Sequence, residues 1–370
     1  MRAHDITAAE VTREGRAVHL QWSDGFGETL PAVWVWDNAD DAFDPATGQR
    51  RRSVSELDFG ILLDAVALEE DTLVLRARTG VETRLARDRL RGRRRADPAP
   101  VRWRGPGALR GLEPVSADAF LREDGALCGA LARLATHGLV ILTGAEAGPG
   151  VVETIVARFG FIRETNYGRL FDVRAEAAPS NLAYTAHSLD LHTDNPYREP
   201  VPTLQLLHAI RTDEHGGESY FVDGLAHAEA MAVAEPDAFA LLSSQPVEFR
   251  YAGPDGAVYE ARWPIIARGA DGAPHAVHLN HRSLAPLTMD ADIMAGWYAA
   301  YGAFHRRVHR PAARLSVQLR PGDVALFDNR RILHGRTAFQ AQAGGGGRWL
   351  QGCYADVDGA LATLARLSGR

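Results

Sequence analysis

The chain contains no lysine; all 41 of its basic residues are arginine. Schiff-base and lysine-nucleophile chemistry are therefore excluded. Cysteine is nearly absent as well. Cys128 and Cys353 are too few and too far apart for a disulfide framework or a C-x-x-C metal knuckle. No window reaches roughly 18 uninterrupted apolar residues, so no membrane-spanning helix is expected. The opening MRAHDITAAE lacks a basic run followed by an apolar stretch, so no secretory signal is read there and a reducing cytoplasm is the default. No G-x-G-x-x-G or Walker loop occurs, and no repeat period, which sets nucleotide-binding folds aside. The net charge of −6 supplies none of the basic excess that nucleic acids or anionic membranes attract. What is present, 46% hydrophobic and 24% charged residues, is the composition of a globular protein. At 370 residues it is long for one core, since single cores stop growing at about 250–300 residues.

Residues 93–107, RRRADPAPVRWRGPG, have no sustained apolar period and read as a linker. Before it, strands are expected at 18–22, 30–36, 61–68 and 72–77, giving a small β-rich domain over residues 1–92. After it, over 108–370, a helix is expected across 119–138, capped by Asp118 and closed by Gly138, then a strand at 139–144 and a helix at 151–160. Short strands then dominate, at 203–210, 218–222, 247–251, 275–280, 323–328 and 348–355, with helices near 224–244 and 290–309. Many short strands between Gly and Pro turns predict a mainly β fold, a sandwich or jelly roll with flanking helices.

The chemistry concentrates in LDLHTDNPYREP (189–200) and DVALFDNRRILHGRTAF (323–339). His192 and Asp194 are two apart, so on a strand they would share a face. Together with the distant His334 they would form the two-His, one-carboxylate facial triad that holds Fe(II) and leaves sites open. Among 14 His an H-x-D pair arises easily by chance, and the spacing alone leaves the bland reading open. Context favours the metal. Arg336 follows His334, and Arg348 opens a strand-like RWLQGCY, where a guanidinium can fork onto a carboxylate. A triad with a carboxylate clamp describes an iron enzyme that uses a 2-oxo acid.

The segments ETNYGRLFDVR (164–174), SNLAYT (180–185), HTDNP, LQLLH (204–208), GGESYFVDG (216–224), FDNRRILHGR (327–336) and RWLQGCYADVD (348–358) together resemble the γ-butyrobetaine dioxygenase family, among the taurine-dioxygenase-like Fe(II)/2-oxoglutarate oxygenases. HLQWSDG (19–25) and VWVWDN (33–38) are similar to that family's accessory domain. The resemblance implies a double-stranded β-helix (jelly roll) catalytic domain behind the small N-terminal one. It implies Fe(II) on His192, Asp194 and His334, with 2-oxoglutarate clamped by Arg348 beside Ser219 and Arg336 supporting from behind. It implies an aromatic cage of Tyr167, Phe171, Tyr184 and Tyr354 for a trimethylammonium group, which donates no hydrogen bond and is recognised by ring faces. Read without the resemblance, the four aromatics would be core residues. Asn181 and Asn280 match the family's anion-binding asparagines, and Arg282 is an added cation that suits a doubly charged phosphonate better than a carboxylate.

The family's accessory domain commonly holds zinc on three Cys and one His; here those positions are Ala39, Asp41, Asp44 and Val81, which offer no soft donors. No structural zinc is therefore expected. The acidic run Asp37, Asp40, Asp41 and Asp44 reads as a solvated turn, in a domain held by apolar burial around Trp22, Trp34 and Trp36. The implied reaction is hydroxylation of γ-butyrobetaine, giving carnitine, or of a phosphonate analogue such as 2-(trimethylammonio)ethylphosphonate, with 2-oxoglutarate and O₂ as partners in a homodimer. The intact Asp194 speaks against a halogenase. A catalytically silent quaternary-amine-binding scaffold, or an oxygenase for an unrelated small molecule, is the alternative.

Overall fold

In a computed structural model, the structure describes residues 5–90, 99–105, 107, 113–174, 182–212, 216–253, 256–339 and 347–369. The chain divides into two compact units, Met1–Ala96 and Asp97–Arg370.

The first unit consists of two antiparallel three-stranded sheets, Ile6–Thr12, Ala17–Trp22, Gly27–Pro31 and Leu63–Glu69, Thr72–Ala77, Glu82–Ala86. Their apolar faces meet around Val18, Leu20, Trp22, Leu73, Leu75 and Leu85. The strand expected over 30–36 ends at Pro31, and Ala32–Asp37 is a short helix. Proline lacks the N–H that would continue the ladder, and its fixed φ suits the residue entering a helix. Trp34 and Trp36 pack, partly buried, beside that core. The acidic run is more than a solvated turn. Asp37 pairs with Arg50 at 2.8 Å, Asp40 with Arg89 at 3.3 Å and Asp41 with Arg52 at 2.6 Å. Thr83 Oγ1 donates to Asp41 at 2.6 Å, and the Arg89 guanidinium lies 3.9 Å from the Phe43 ring centroid. Asp44 accepts from the Ala46 and Thr47 amides, so it closes its own turn.

In the second unit a seven-stranded sheet runs Phe171–Arg174, Trp349–Ala355, Leu204–Arg211, Val324–Asp328, Leu139–Thr143, Val115–Ser116, with Ile162–Arg163 also on Trp349–Ala355. A four-stranded sheet runs Leu189–His192, Ile332–Arg336, Ser219–Asp223, Leu315–Val317. Period-two alternation sorts each strand. Leu204, Leu206, Val324, Leu326 and Cys353 face a layer of helices that includes Asp124–His137 and Val357–Leu367. Leu207, Ala325, Phe327 and Leu350 meet Phe221 and Ile332 of the smaller sheet. On its other face, Tyr220, Val222 and Leu333 pack with Gly224–Ala234, Pro236–Ser244 and Ala291–Val308. The fold is mainly β with flanking helices, a jelly roll.

Two expected helices are each two. Residues 117–137 break at Glu123, which is extended, and Ser116 rather than Asp118 caps the first piece. Gly138 closes the second at φ 76°. Residues 224–244 break before Pro236, which no helix interior tolerates. Part of the stretch expected as a linker is built into the second unit. Trp103 is buried; its backbone N–H donates to Asp223 and its indole to the His137 carbonyl. Asp223 in turn pairs with the buried Arg331 at 2.7 Å. A tryptophan with both donors satisfied is a packed residue, despite its Arg- and Pro-rich neighbours.

Candidate active site

Between the two sheets lies a cavity of about 310 Å³. His192 ends the strand Leu189–His192 and stands in register with His334 on Ile332–Arg336. Their ring centroids are 4.3 Å apart. Asp194 lies beyond the strand end, not on it, followed by Asn195 in the left-handed region at φ 55°. Its place is set by its peptide: Asn329 Oδ1 accepts from Asp194 N at 2.7 Å, and Asn329 Nδ2 donates to Asp194 O at 3.0 Å. His192 Nε2 is then 3.3 Å from Asp194 Oδ1, and His334 Nε2 is 3.9 Å from Oδ2. Ligands of one ion at about 2.0–2.2 Å stand roughly 3 Å apart, so the three close on a single metal with small adjustments.

The protonation states suit that use. Burial would raise the Asp194 carboxyl, but its hydrogen bond with His192, the charges of His334 and His192 and the Tyr354 hydroxyl hold it well below the usual range. Burial pushes the His334 imidazole down to about 3, reinforced by His192 and only partly opposed by Asp194. Neutral imidazole and carboxylate are the forms that ligate. His192 Nδ1 is 2.7 Å from the Asp190 carbonyl, which places the proton there and turns Nε2 toward the cavity. Oδ2 of Asp194 accepts from Gln205 Nε2 at 2.8 Å and Tyr354 Oη at 2.9 Å.

Residues 108–354 match the family of "Taurine catabolism dioxygenase TauD, TfdA family". The chain belongs to that family. It is a 2-oxoglutarate-dependent, non-haem iron dioxygenase. It is 35% identical to the γ-butyrobetaine dioxygenase of Pseudomonas sp. (strain AK-1), over 94% of this chain and 92% of that protein. It is 29% identical to the mitochondrial trimethyllysine dioxygenase of Gallus gallus, over 91% of this chain and 82% of that one. Among solved structures it is similar, at a TM-score of 0.49 and 18% identity, to the non-haem iron oxygenase OrfP in complex with Fe and α-ketoglutaric acid, covering 66% of this chain and 85% of that one.

In this TauD-family dioxygenase, all but one of the site residues expected from the sequence line the same cavity. The exception, Asn181, lies outside the described residues. Arg348 is buried, directly before the strand Trp349–Ala355, on the same side as Leu350 and Tyr354. Gly217, at φ 70°, makes room for it: a Cβ there would stand 2.9 Å from Arg348 Cδ. Ser219 is buried and is the cross-strand partner of Arg336. Arg336 donates to the carbonyls of Ala183 at 2.9 Å, His187 at 3.3 Å and Thr185, so it supports the segment that carries Tyr184. Burial, with Arg348 and Arg282 nearby, lowers its guanidinium to about 9.

Of the expected cage, Phe171 stacks on Tyr354 at 5.0 Å and lies 6.3 Å from Tyr167. Tyr197 and Tyr251 extend this wall and were not expected: they stack on each other at 5.0 Å, and Tyr251 is 5.8 Å from Tyr167. Tyr197 sits in the HTDNPY motif itself, a visible signal. Tyr251 follows the core positions Val247 and Phe249 with period two and reads as core from sequence. Gln205 and Asn329, which hold Asp194, stand in the LQLLH and FDNRR segments, but an ordinary amide side chain gives no sign of which partner it will meet. Asn280 lines the cavity with one amide N–H engaged on the Thr193 carbonyl at 3.1 Å. Arg282 also lines it, exposed, with no ion-pair partner among the described residues.

Proposed function

We propose that this dioxygenase hydroxylates a C–H bond of a small trimethylammonium compound, with His192, Asp194 and His334 holding Fe(II) and Arg348 receiving the distal carboxylate of 2-oxoglutarate. One observation carries the reading: the triad, Arg348, Ser219 and a wall of six aromatic rings line one cavity. The relatives named for γ-butyrobetaine and trimethyllysine support it. Bound iron would supply the O₂-activating centre, one oxygen atom going to the substrate and the other to succinate as 2-oxoglutarate loses CO₂. The protein's own part is positioning. Gln205 and Tyr354 occupy Oδ2 of Asp194 and leave Oδ1 for the metal. The Arg348 fork, seated against Gly217 beside Ser219, fixes a carboxylate by charge-assisted hydrogen bonds. The ring faces of Tyr167, Phe171, Tyr184 and Tyr354, with Tyr197 and Tyr251, attract a quaternary ammonium and exclude water from it.

The opposite end of the substrate is an anion, met by Asn280 and Arg282. γ-Butyrobetaine, giving carnitine, and 2-(trimethylammonio)ethylphosphonate both satisfy this arrangement, and Arg282, without an ion-pair partner among the described residues, favours the phosphonate. With both compounds offered in competition and products measured by mass, Arg282→Ala is expected to lower phosphonate turnover about tenfold more than carboxylate turnover. Equal losses would remove Arg282 from the anion site. His334→Ala is expected to abolish succinate formation from 2-oxoglutarate, Fe(II) and O₂. Wild-type rates in that variant would refute the triad.

A further inference from the structure

A second group of two histidines and a carboxylate comes together outside the cavity. Asp190 lies on the strand Leu189–His192, His305 in the last turn of the helix Ala291–Val308, and His309 at that helix's C-cap. One ligand atom from each lies within 4.8 Å of the other two. A spacing of four residues puts both imidazoles on one helix face, and the rings stack at 3.8 Å. His309 Nδ1 is 2.8 Å from the His305 carbonyl, which fixes the proton there and leaves Nε2 as a bare lone pair. Among the described residues that lone pair meets only the Leu191 N–H, at a long 3.3 Å. The Asp190 carboxylate and the His305 ring have no hydrogen-bond or ion-pair partner among the described residues.

We propose that Asp190, His305 and His309 form a second metal site, for a divalent transition-metal ion of the zinc class. The donor set is the reason: two imidazoles and one carboxylate from two separate elements, with a fourth tetrahedral position open to water. Arg314, which donates to the His309 carbonyl at 3.1 Å, disfavours an ion held by charge alone, such as Mg²⁺. An ion with real affinity for imidazole gains most here. The site would clip the helix Ala291–Val308 to the strand that carries His192. Its carboxylate residue is the same Asp190 whose carbonyl faces His192 Nδ1 at 2.7 Å. This inference goes beyond the proposed function and does not rest on it.

The test is a Co²⁺ titration of the full chain, without 2-oxoglutarate, read by equilibrium dialysis and visible ligand-field absorption. Wild type is expected to hold two equivalents, His305→Ala/His309→Ala one, and His192→Ala/His334→Ala one. Asp190→Asn, nearly isosteric, is expected to weaken the second equivalent at least about tenfold while sparing the first. A single equivalent in wild type that His192→Ala/His334→Ala abolishes, or two retained in His305→Ala/His309→Ala, would overturn the site. Should that double variant fail to fold, an unchanged second-equivalent affinity in Asp190→Asn overturns it instead.

Discussion

Tyr354 joins two demands in one side chain. Its ring stacks on Phe171 in the aromatic wall, while its hydroxyl donates to Oδ2 of Asp194. Burial and the neighbouring carboxylate raise that hydroxyl well above the usual tyrosine range, so it remains a donor. The two roles separate by substitution. Tyr354→Phe keeps the ring and removes the donor; Gln205 still satisfies Oδ2, so iron affinity is expected to fall about tenfold, at the low end for lost support of a metal ligand. The KM for the trimethylammonium substrate should stay near wild type in Tyr354→Phe and rise in Tyr354→Leu. Iron titration and steady-state kinetics on the two variants check this; equal KM values in both would exclude the ring from substrate binding. His192, Asp194 and His334 were legible as candidates because Arg336, Arg348 and the family resemblance stood beside a spacing that alone is common. The way Asp194 is held was not: Asn329 and Gln205 are ordinary polar residues until folding places them beside it.

At the scale of elements, strand alternation decides which side chains share a face. It accounts for Arg348, Leu350 and Tyr354 sharing a face across RWLQGCY. It misled at VWVWDN, where alternating Val and Trp imitate a strand but Pro31 has already ended the sheet. It also said nothing of Val357–Leu367, a helix whose apolar stripe was visible at three- and four-residue spacing. In the first unit the acidic run is tied to the last strand through Thr83 and Asp41 at 2.6 Å. The resemblance pointed to soft ligands missing there, whereas the arginine and threonine partners come from residues 50–89 and had to be brought in by the fold. Thr83→Val preserves shape and removes that hydrogen bond. A loss of about 1 kcal/mol is expected in urea unfolding of the full chain, because Arg52 still meets Asp41. No measurable loss would show that the turn is held without it.

For the whole molecule, acid stability follows from buried histidines other than His192 and His334. Burial pushes His278 down to about 4, only partly offset by its hydrogen bond to the Pro264 carbonyl, and His227 is lowered to about 4 as well. The folded value lies below the ordinary 6.5, so the unfolded chain takes up the proton more readily. Stability is therefore full above about pH 6.5 and is lost as pH falls toward 4. His278→Gln should flatten that decline in thermal midpoints measured from pH 7 to 4; an unchanged slope would assign the acid sensitivity elsewhere. The sequence by itself determined the mainly β class, and through a family resemblance it marked His192, Asp194, His334 and Arg348 as candidates, because residue type, period and motif belong to local segments of a chain. Only the tertiary structure decided that Tyr197 and Tyr251 complete the aromatic wall, that Asn329 and Gln205 set Asp194, and that Asp190 meets His305 and His309. Those contacts join residues from 11 to more than a hundred positions apart, and no local pattern carries information about which side chain will close upon another.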